Sequence, residues 1–401
     1  MLRFIHGADL HFDRSFEGVK GISESATKRL LTANQTMLTN IVAAAVTRQV
    51  DFVLLAGDTF HQARSSLKAQ GALMTALRQL EAAQIPVYLC FGNHDYFDEK
   101  RYWFSFPENV HLFKSDQVTS FTGETASGEG YQVAGFSYLT PHLTGDLLER
   151  FPPRGAVDYM IGMYHGDPQG QEYAPFSVGR MKDLGYDYWA LGHIHVPTLL
   201  SQQPPIVYPG TPQPHTRKET TGGYVTYVEL TPGDCQLEQV PVAGVFWQQV
   251  TVPATGMQEQ KQLLRALEEV LAELDSEKET LVELKIVGGA FDRQTMNALT
   301  NGELQQYLNE QRTSTSAVQI AALTVVAQEE ETTKPSLDAT LTTEHLAVYQ
   351  NQEVFQELVA DLLDHPIAGL LLRQHPEYQE MVLQQAWSQL AADFTLEEGQ
   401  P

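Results

Sequence analysis

The sequence predicts an α/β fold in its first half, then a smaller α+β unit and a C-terminal helical segment. Three observations support this prediction. Apolar runs typical of strands alternate with segments of helical period up to about residue 91. Helical connections then become fewer, which favours two mixed β-sheets flanked by helices. Beyond Pro241 the order becomes strand, helix, strand, helix, strand, and a polar acidic stretch at residues 328–336 precedes the last helices.

In the first half, helices are predicted at residues 29–48 and 67–83, where residues such as Leu30, Met37 and Ile41 recur at helical spacing. Strands joined by helices of this length are parallel. Strands are predicted at residues 2–6, 52–56, 87–91, 110–113, 131–136, 159–164, 188–191, 206–208 and 224–230.

The second half has its own pattern. Strands are predicted at residues 246–252, 280–287 and 318–326, with helices at 257–274, 293–311, 343–364 and 376–393. A chain of 401 residues exceeds what one hydrophobic core usually holds, so several domains are expected. The predicted division is a core at 1–240, an α+β domain at 241–327, an acidic linker at 328–340 and C-terminal helices at 341–401.

Negative charge is concentrated in the back half of the chain. The formal net charge is −24, and residues 231–401 hold 8 basic against 27 acidic residues. A polyanionic substrate is therefore expected to bind the front half, which contains 18 basic and 23 acidic residues. Two cysteines, the lack of a long apolar run and the lack of a leader pattern at Met1 indicate a cytoplasmic protein without a membrane segment.

Five short segments place metal-binding residue types at or just after the ends of predicted strands. Each alone has a simpler explanation, because a lone histidine is often structural and Gly-Asp is a common turn. Together they are harder to explain as turns, since strand ends can meet at one edge of a sheet. The segments are Asp9-Leu10-His11, Gly57-Asp58, Gly92-Asn93-His94-Asp95, His165-Gly166-Asp167 and Gly192-His193-Ile194-His195.

This series resembles the signature of calcineurin-like metallophosphoesterases. Within that superfamily the chain is similar to SbcD-type DNA repair exonucleases, and especially to their YhaO-like branch. The similar segments are FIHGADLHFD at 4–13, FGNHDYFD at 91–98, PENVHLF at 107–113, LGHIHVP at 191–197 and YPGTPQP at 208–214. The resemblance covers about the first 230 residues, and residues 246–326 resemble the capping domain of these nucleases only in layout.

The resemblance implies two divalent metal ions, with manganese expected and iron or zinc also compatible with mixed nitrogen and oxygen ligands. It assigns Asp9, His11 and His195 to the first metal, Asn93, His165 and His193 to the second, and Asp58 to both. It implies that His94 stabilises the transition state or protonates the leaving oxygen. Asp95 could orient the His94 ring, or it could form a simple turn. His61 could face the metals or solvent, and the segment at 215–223 departs from the relatives, which leaves the roles of Arg217 and Glu219 open.

The resemblance thus implies a two-metal-dependent DNA nuclease subunit that works with an SMC-like coiled-coil ATPase of the SbcC type. The C-terminal helices are the expected docking segment for that ATPase, and a homodimer through helices of the nuclease half is also implied. A phosphodiesterase for a small or cyclic nucleotide is the alternative enzyme, because the superfamily shares the metal motif. A non-catalytic scaffold is disfavoured, because all seven proposed ligand positions hold competent residues.

Overall fold

The structure is a computed structural model, and it describes residues 1–257, 259–274, 278–289, 291–312, 316–326, 351–363, 378–379 and 382–383. Residues 1–327 form one compact unit, and the residues beyond 327 belong to a second one. The predicted linker at 328–340 and most of the predicted C-terminal helices lie outside the described residues. The division at residue 240 remains a prediction. None of the described helices combines the length and apolar character needed to span a lipid bilayer.

The strands, in chain order, are β1 (Leu2–Gly7), β2 (Phe52–Ala56), β3 (Val87–Cys90), β4 (Val110–Leu112), β5 (Thr119–Glu124), β6 (Gly130–Gly135), β7 (Tyr159–His165), β8 (Tyr188–Gly192), β9 (Thr198–Gln202), β10 (Pro205–Tyr208), β11 (Tyr224–Thr231), β12 (Asp234–Pro241), β13 (Phe246–Pro253), β14 (Thr280–Val287) and β15 (Val318–Val326). The helices are α1 (Glu24–Thr47), α2 (Leu67–Ala82), α3 (Val178–Asp183), α4 (Gln260–Glu273), α5 (Arg293–Thr300), α6 (Glu303–Gln311), α7 (Gln352–Leu358) and α8 (Ala360–Leu363), with 3-10 turns at Glu99–Arg101 and Leu148–Arg150.

The described strands form three sheets. The first has the order β12-β11-β1-β2-β3-β4, and the second has the order β5-β6-β7-β8-β10-β9. Strands β1 to β4 are parallel, as are β6, β7 and β8, while β11 and β12 are antiparallel additions. The prediction of two mixed sheets flanked by helices is therefore confirmed.

The two larger sheets face each other across a core rich in aromatic residues. Phe4 stacks on Phe52 with ring centroids 5.0 Å apart, and Tyr131 from the second sheet lies 4.8 Å from Phe52. Both phenylalanines are fully buried, and burial of such a side chain contributes about 1.5–3 kcal/mol. Helices α1 and α2 cover the outer face of the first sheet through residues such as Met37 and Leu73. This sandwich holds the carboxyl ends of β1, β2, β3, β7 and β8 close together.

Both long helices begin at a serine cap. Ser23 accepts a hydrogen bond from the N–H of Ala26, and Ser66 accepts one from Ala69. Helix α1 therefore begins five residues before the predicted start, because the polar first turn lacks the apolar spacing on which that prediction relied. Strands β5, β9 and β12 and helix α3 were not predicted. Many side chains of those three strands are exposed, which weakens the apolar pattern of a buried strand.

The third sheet has the order β13-β14-β15, and all three strands are parallel. Helices α4, α5 and α6 pack against it around Leu263, Leu299 and Leu308. The single helix predicted at 293–311 is two helices, because Gly302 adopts a left-handed conformation with φ 86° between them. This sheet lies in the same compact unit as the two larger sheets and contacts residues before 240 through side chains, including an ion pair between Arg217 and Glu283.

Candidate metal centre

The five segments singled out in the sequence meet at one edge of the sandwich. Asp9, Asp58 and Asn93 follow β1, β2 and β3 in the first sheet, whereas His165 ends β7 and His193 follows β8 in the second. The N–H of Asp9 donates to the carbonyl of Gly57 at 3.0 Å, which ties the β1 and β2 loops together. Parallel strands present their carboxyl ends at the same edge, so residues up to 186 positions apart become neighbours.

Four of the candidate ligands hold a backbone conformation that side chains rarely adopt. The φ angles are 52° at Asp9, 41° at His11, 49° at Asp58 and 106° at His193. Such conformations cost on the order of 1–3 kcal/mol each and persist where the surrounding structure enforces them. These residues therefore have a strained backbone at the points where their side chains converge.

Three glycines leave the space that the side chains occupy. A Cβ atom on Gly92 would lie 2.2 Å from Oδ1 of Asp58, and one on Gly57 would lie 2.2 Å from Nδ1 of His165. A Cβ on Gly192 would meet the carbonyl oxygen of Ala56 at 2.0 Å. A larger residue at Gly57 or Gly92 would displace a candidate ligand, and one at Gly192 would displace the backbone of Ala56, which explains why glycine stands at the start of these three segments.

The side chains form two groups that share Asp58. In one group, Asp9, His11 and His195 have ligand atoms within 4.8 Å of one another, and Nε2 of His11 lies 3.0 Å from Nε2 of His195. In the other, Oδ1 of Asn93 lies 3.1 Å from Nε2 of His165 and 3.1 Å from Nδ1 of His193. Oδ2 of Asp58 lies between the groups, 3.8 Å from His11 and 3.5 Å from His165.

The charges of the site also fit bound cations. Asp9 and Asp58 are buried, and their ligand atoms and that of His165 lie within 4.8 Å of one another. Burial raises the pKa of Asp9 to about 6. Burial alone would raise the pKa of Asp58, but the adjacent His165 holds it below its usual range. Burial alone would lower the pKa of His165, but the adjacent Asp58 raises it to about 9. Carboxylate, amide and imidazole donors in this arrangement suit divalent cations.

The carboxylate of Asp95 lies in the turn that presents His94, in line with the second of the two alternatives above. It is buried and accepts hydrogen bonds from the backbone N–H groups of Gly92 at 2.8 Å and Thr59 at 2.8 Å. Nδ1 of His94 instead lies 3.1 Å from the carbonyl oxygen of His61. The backbone N–H of His94 donates to Oδ1 of Asp58 at 3.0 Å, so His94 is fixed to the site by its own backbone.

Three further residues join the site. His61 faces it, with Nδ1 3.4 Å from Nδ1 of His11, and its ring stacks on His94. The hydroxyl of Thr211 donates to the carbonyl of Asp9 at 3.0 Å, so the loop after β10 lines the site. Glu219 contacts Nδ1 of His195 at 2.8 Å. The sequence left the role of Glu219 open, because nothing local links it to His195.

This fold and this constellation define a metallophosphoesterase. A family model described as Calcineurin-like phosphoesterase matches residues 2–197. The chain is also 36% identical over 283 residues to the uncharacterized metallophosphoesterase YhaO of Bacillus subtilis, and the match covers 68% of each chain. The chain belongs to the calcineurin-like phosphoesterase family.

More distant relatives carry names from DNA repair and nucleases. The chain is 22% identical over 239 residues to the DNA double-strand break repair protein Mre11 of Methanopyrus kandleri, with 54% of this chain and 49% of that protein covered. It is 22% identical over 229 residues to a component of the nuclease SbcCD of Staphylococcus epidermidis, with 49% and 57% covered. The chain thus spans about half the length of these two relatives.

Proposed function

We propose that this metallophosphoesterase is a DNA nuclease subunit that depends on two divalent metal ions and hydrolyses phosphodiester bonds. The observation that carries the proposal is the convergence of six nitrogen- and oxygen-bearing side chains around Asp58. The lower-identity relatives named for DNA repair supply the substrate class, and the motif segments of the first 230 residues favour the same class.

The two groups of side chains are the proposed ligand sets. When bound, the ions would activate a water molecule and neutralise charge on the phosphoryl oxygens. We propose manganese as the metal, with iron and zinc as the alternatives to be compared. The ligands would be Asp9, His11 and His195 for one ion, Asn93, His165 and His193 for the other, and Asp58 for both.

His94 is the proposed general acid. Its Nδ1 donates to the carbonyl oxygen of His61 at 3.1 Å, so Nε2 is the nitrogen left to face the leaving oxygen, and the doubly protonated ring can deliver the Nε2 proton to it. The side chain is exposed, which gives it access to a substrate. In this proposal Asp95 acts indirectly, because its buried carboxylate stabilises the turn that carries His94.

The direct test is degradation of labelled double-stranded and single-stranded DNA by the full chain, stripped of metal and then supplied with manganese, iron or zinc. We expect degradation with at least one metal. An Asp58→Asn preparation, purified identically, controls for contaminating nucleases. DNA that stays intact under every condition, while a chromogenic phosphodiester is hydrolysed, would contradict the DNA assignment.

A phosphodiesterase for a small nucleotide is the second candidate, and the charge of the chain favours it. The net charge is −24, and a strongly acidic back half repels a polyanion more than it repels a mononucleotide. Hydrolysis of cyclic nucleotides by the same preparation, at rates that exceed the rate on DNA, would support this candidate.

An SMC-like coiled-coil ATPase is the proposed partner, and the C-terminal segment is its proposed docking site. Within the described part of that segment, Leu358 of α7 is 67% exposed. We expect Leu358→Glu to weaken copurification with such an ATPase, while Gln356→Glu, an equally acidic change at an exposed position of the same helix, should not. Equal binding by both variants would contradict this docking site.

A homodimer through the helices of the first half is also proposed. Leu31 of α1 is 78% exposed and Leu67 at the start of α2 is 54% exposed, and apolar residues in such positions can pack against a second copy. Sedimentation should then show a dimer for the unmodified chain and a monomer for Leu31→Glu. A monomeric unmodified chain would contradict the proposal.

A further inference from the structure

The two ring nitrogens of His195 contact different side chains on opposite sides of the ring. Its Nε2 faces the candidate metal centre, 3.0 Å from Nε2 of His11. Its Nδ1 lies 2.8 Å from Oε1 of Glu219, a residue 24 positions further along the chain. The Glu219 side chain is only 11% exposed. The two ring nitrogens therefore have separate partners. Whether the Glu219 carboxyl group accepts or donates a hydrogen bond decides which nitrogen carries the proton.

Glu219 acts as an acceptor at both oxygens. Oε2 accepts hydrogen bonds from the backbone N–H of His215 at 2.7 Å and of Thr216 at 3.0 Å. Oε1 also has the guanidinium of Arg14 at 3.5 Å. Three donors around one carboxyl group match the acceptor-only character of an ionised carboxylate, which has no proton to give. Nδ1 of His195 is then the donor in its contact with Oε1.

We infer that Glu219 is a positioning residue that holds His195 in the tautomer with its proton on Nδ1 and its lone pair on Nε2, directed into the metal centre. The inference rests on the proposed function in that His195 is taken as a metal ligand. A carboxylate behind a ligand histidine fixes the ring orientation and makes the ligand nitrogen more basic.

A second candidate ligand has the same arrangement with a weaker acceptor. Nδ1 of His165 lies 3.0 Å from the backbone carbonyl oxygen of Ala56, which leaves Nε2 to face Asn93 and Asp58. A carbonyl is neutral, whereas Glu219 is charged and can also stabilise positive charge on the His195 ring. Of these two ligands, His195 is the one whose second ring nitrogen contacts a side chain rather than the backbone.

The competing explanation is that Glu219 only shapes its own loop, because Oε2 caps the turn at residues 215–216. Glu219→Gln separates the two roles. If its amide oxygen keeps the two backbone N–H groups, its NH2 group faces Nδ1 of His195 and requires that nitrogen to accept. The ring proton then moves to Nε2, the nitrogen needed for a metal. A purely structural role predicts no such change while the loop stays folded.

Two measurements test this on the full chain. In the metal-free protein labelled with ¹⁵N at histidine, long-range ¹H–¹⁵N spectra report the tautomer, and loss of one signal in His195→Asn assigns it. We expect Nδ1–H in the unmodified chain and Nε2–H in Glu219→Gln. Calorimetric titration with Mn²⁺ should show one of two sites weakened about 10–100-fold in Glu219→Gln.

Glu17→Gln is the matched control. The carboxylate of Glu17 also pairs with Arg14, at 2.9 Å, but its side chain is 60% exposed and the pair involves no histidine of the site. We expect this variant to keep the wild-type tautomer and Mn²⁺ affinity.

A neutral His195 ring with its proton on Nε2 rather than on Nδ1 in the unmodified chain would overturn the inference, and this result does not require the Glu219 variant to fold. A folded Glu219→Gln that binds Mn²⁺ as tightly as the unmodified chain would overturn it as well. If the unmodified chain bound none of manganese, iron and zinc, the proposed function would fail, and the tautomer spectra would still decide the role of Glu219.

Discussion

Two parts of this molecule use the same parallel strand arrangement for different ends. The strands β1, β2 and β3 run parallel and are followed by Asp9, Asp58 and Asn93. The strands β13, β14 and β15 also run parallel, but their last residues are Pro253, Val287 and Val326. The strand topology is therefore not what makes a site. The residues placed just beyond the strand ends make the difference.

The backbone shows the same contrast. Asp9, His11, Asp58 and His193 are left-handed, although none of them is a glycine. In the described part of residues 246–326, the left-handed positions are Gly256, Gly288 and Gly302. Glycine adopts this conformation without strain, whereas Asp and His do so at a cost. Strain is thus concentrated where ligand atoms converge, and the third sheet is built without it.

Buried carboxylates are also treated differently in the two parts. Glu283 of β14 accepts from Gln249 at 2.7 Å, Thr324 at 2.9 Å and Arg217 at 3.1 Å, so its charge is compensated within the protein. Although burial opposes it, these hydrogen bonds keep the pKa of Glu283 below its usual range. Burial raises the pKa of Asp9 to about 6 instead. Both oxygens of Asp9 lie 3.0 Å from the backbone N–H of His193, and a bound cation would add a compensating positive charge.

The largest effect is expected when Asp58, which belongs to both ligand groups, is changed. Asp58→Asn keeps the shape of the side chain and tolerates the left-handed backbone, but it removes the charge between His11 and His165. We expect Mn²⁺ binding to weaken by at least about 100-fold, because even an indirect contact is worth 10–100-fold. Calorimetric titration measures this. Wild-type affinity in the variant would mean that Asp58 is not shared by two metals.

The next effect separates metal binding from proton transfer. His94→Ala should retain both metals and lower kcat by about 10²–10⁴-fold, because the proposed proton donor is removed while the proposed ligands stay. Steady-state hydrolysis of a phosphodiester and Mn²⁺ titration on the same preparation measure both quantities. An unchanged rate would show that His94 does not act as the acid.

The contrast between the two parts also explains how far the sequence could predict the structure. The strand ends with their ligands were predictable, because short apolar runs followed by Gly-Asp or Gly-His are local patterns. The turn role of Asp95 and the contact from Glu219 to His195 were not predictable from local pattern. Both depend on backbone and side-chain positions that only the packed loops create. The two-helix form of 293–311 was missed, since Gly302 alone breaks an otherwise continuous helical period.

A substitution in the third sheet should change the free energy of unfolding without changing the metal affinity of the centre. Leu284 is fully buried in β14, and Leu284→Ala should lower the free energy of unfolding by about 2–5 kcal/mol through lost burial and a cavity. Mn²⁺ affinity should stay unchanged, because no proposed ligand belongs to this sheet. Urea unfolding and metal titration measure the two properties. Loss of metal binding in a folded Leu284→Ala would show that the two parts are coupled more closely than their contrast suggests.

The smallest effect concerns a buried histidine just outside the centre. His6 lies on β1, fully buried, with Nδ1 3.0 Å from the hydroxyl of Tyr188 and Nε2 3.0 Å from the carbonyl of Leu191. Burial lowers the pKa of His6 to about 3, whereas for His165 the effect of burial is outweighed by the adjacent Asp58, which raises the pKa to about 9. His6 is thus neutral in the folded chain, but it takes up a proton below pH 6.5 in the unfolded chain.

The folded pKa of His6 lies below the unfolded one, so its contribution to stability is complete above about pH 6.5 and declines as the pH falls toward 3. Between pH 7.5 and pH 5.5 the loss due to His6 alone should be about 1.4 kcal/mol. Urea unfolding at both values should show this loss in the unmodified chain and its absence in His6→Gln, whose side chain does not titrate. An identical pH dependence in both proteins would mean that His6 can be protonated inside the fold, and the distinction between the structural histidine and the site histidines would then fail.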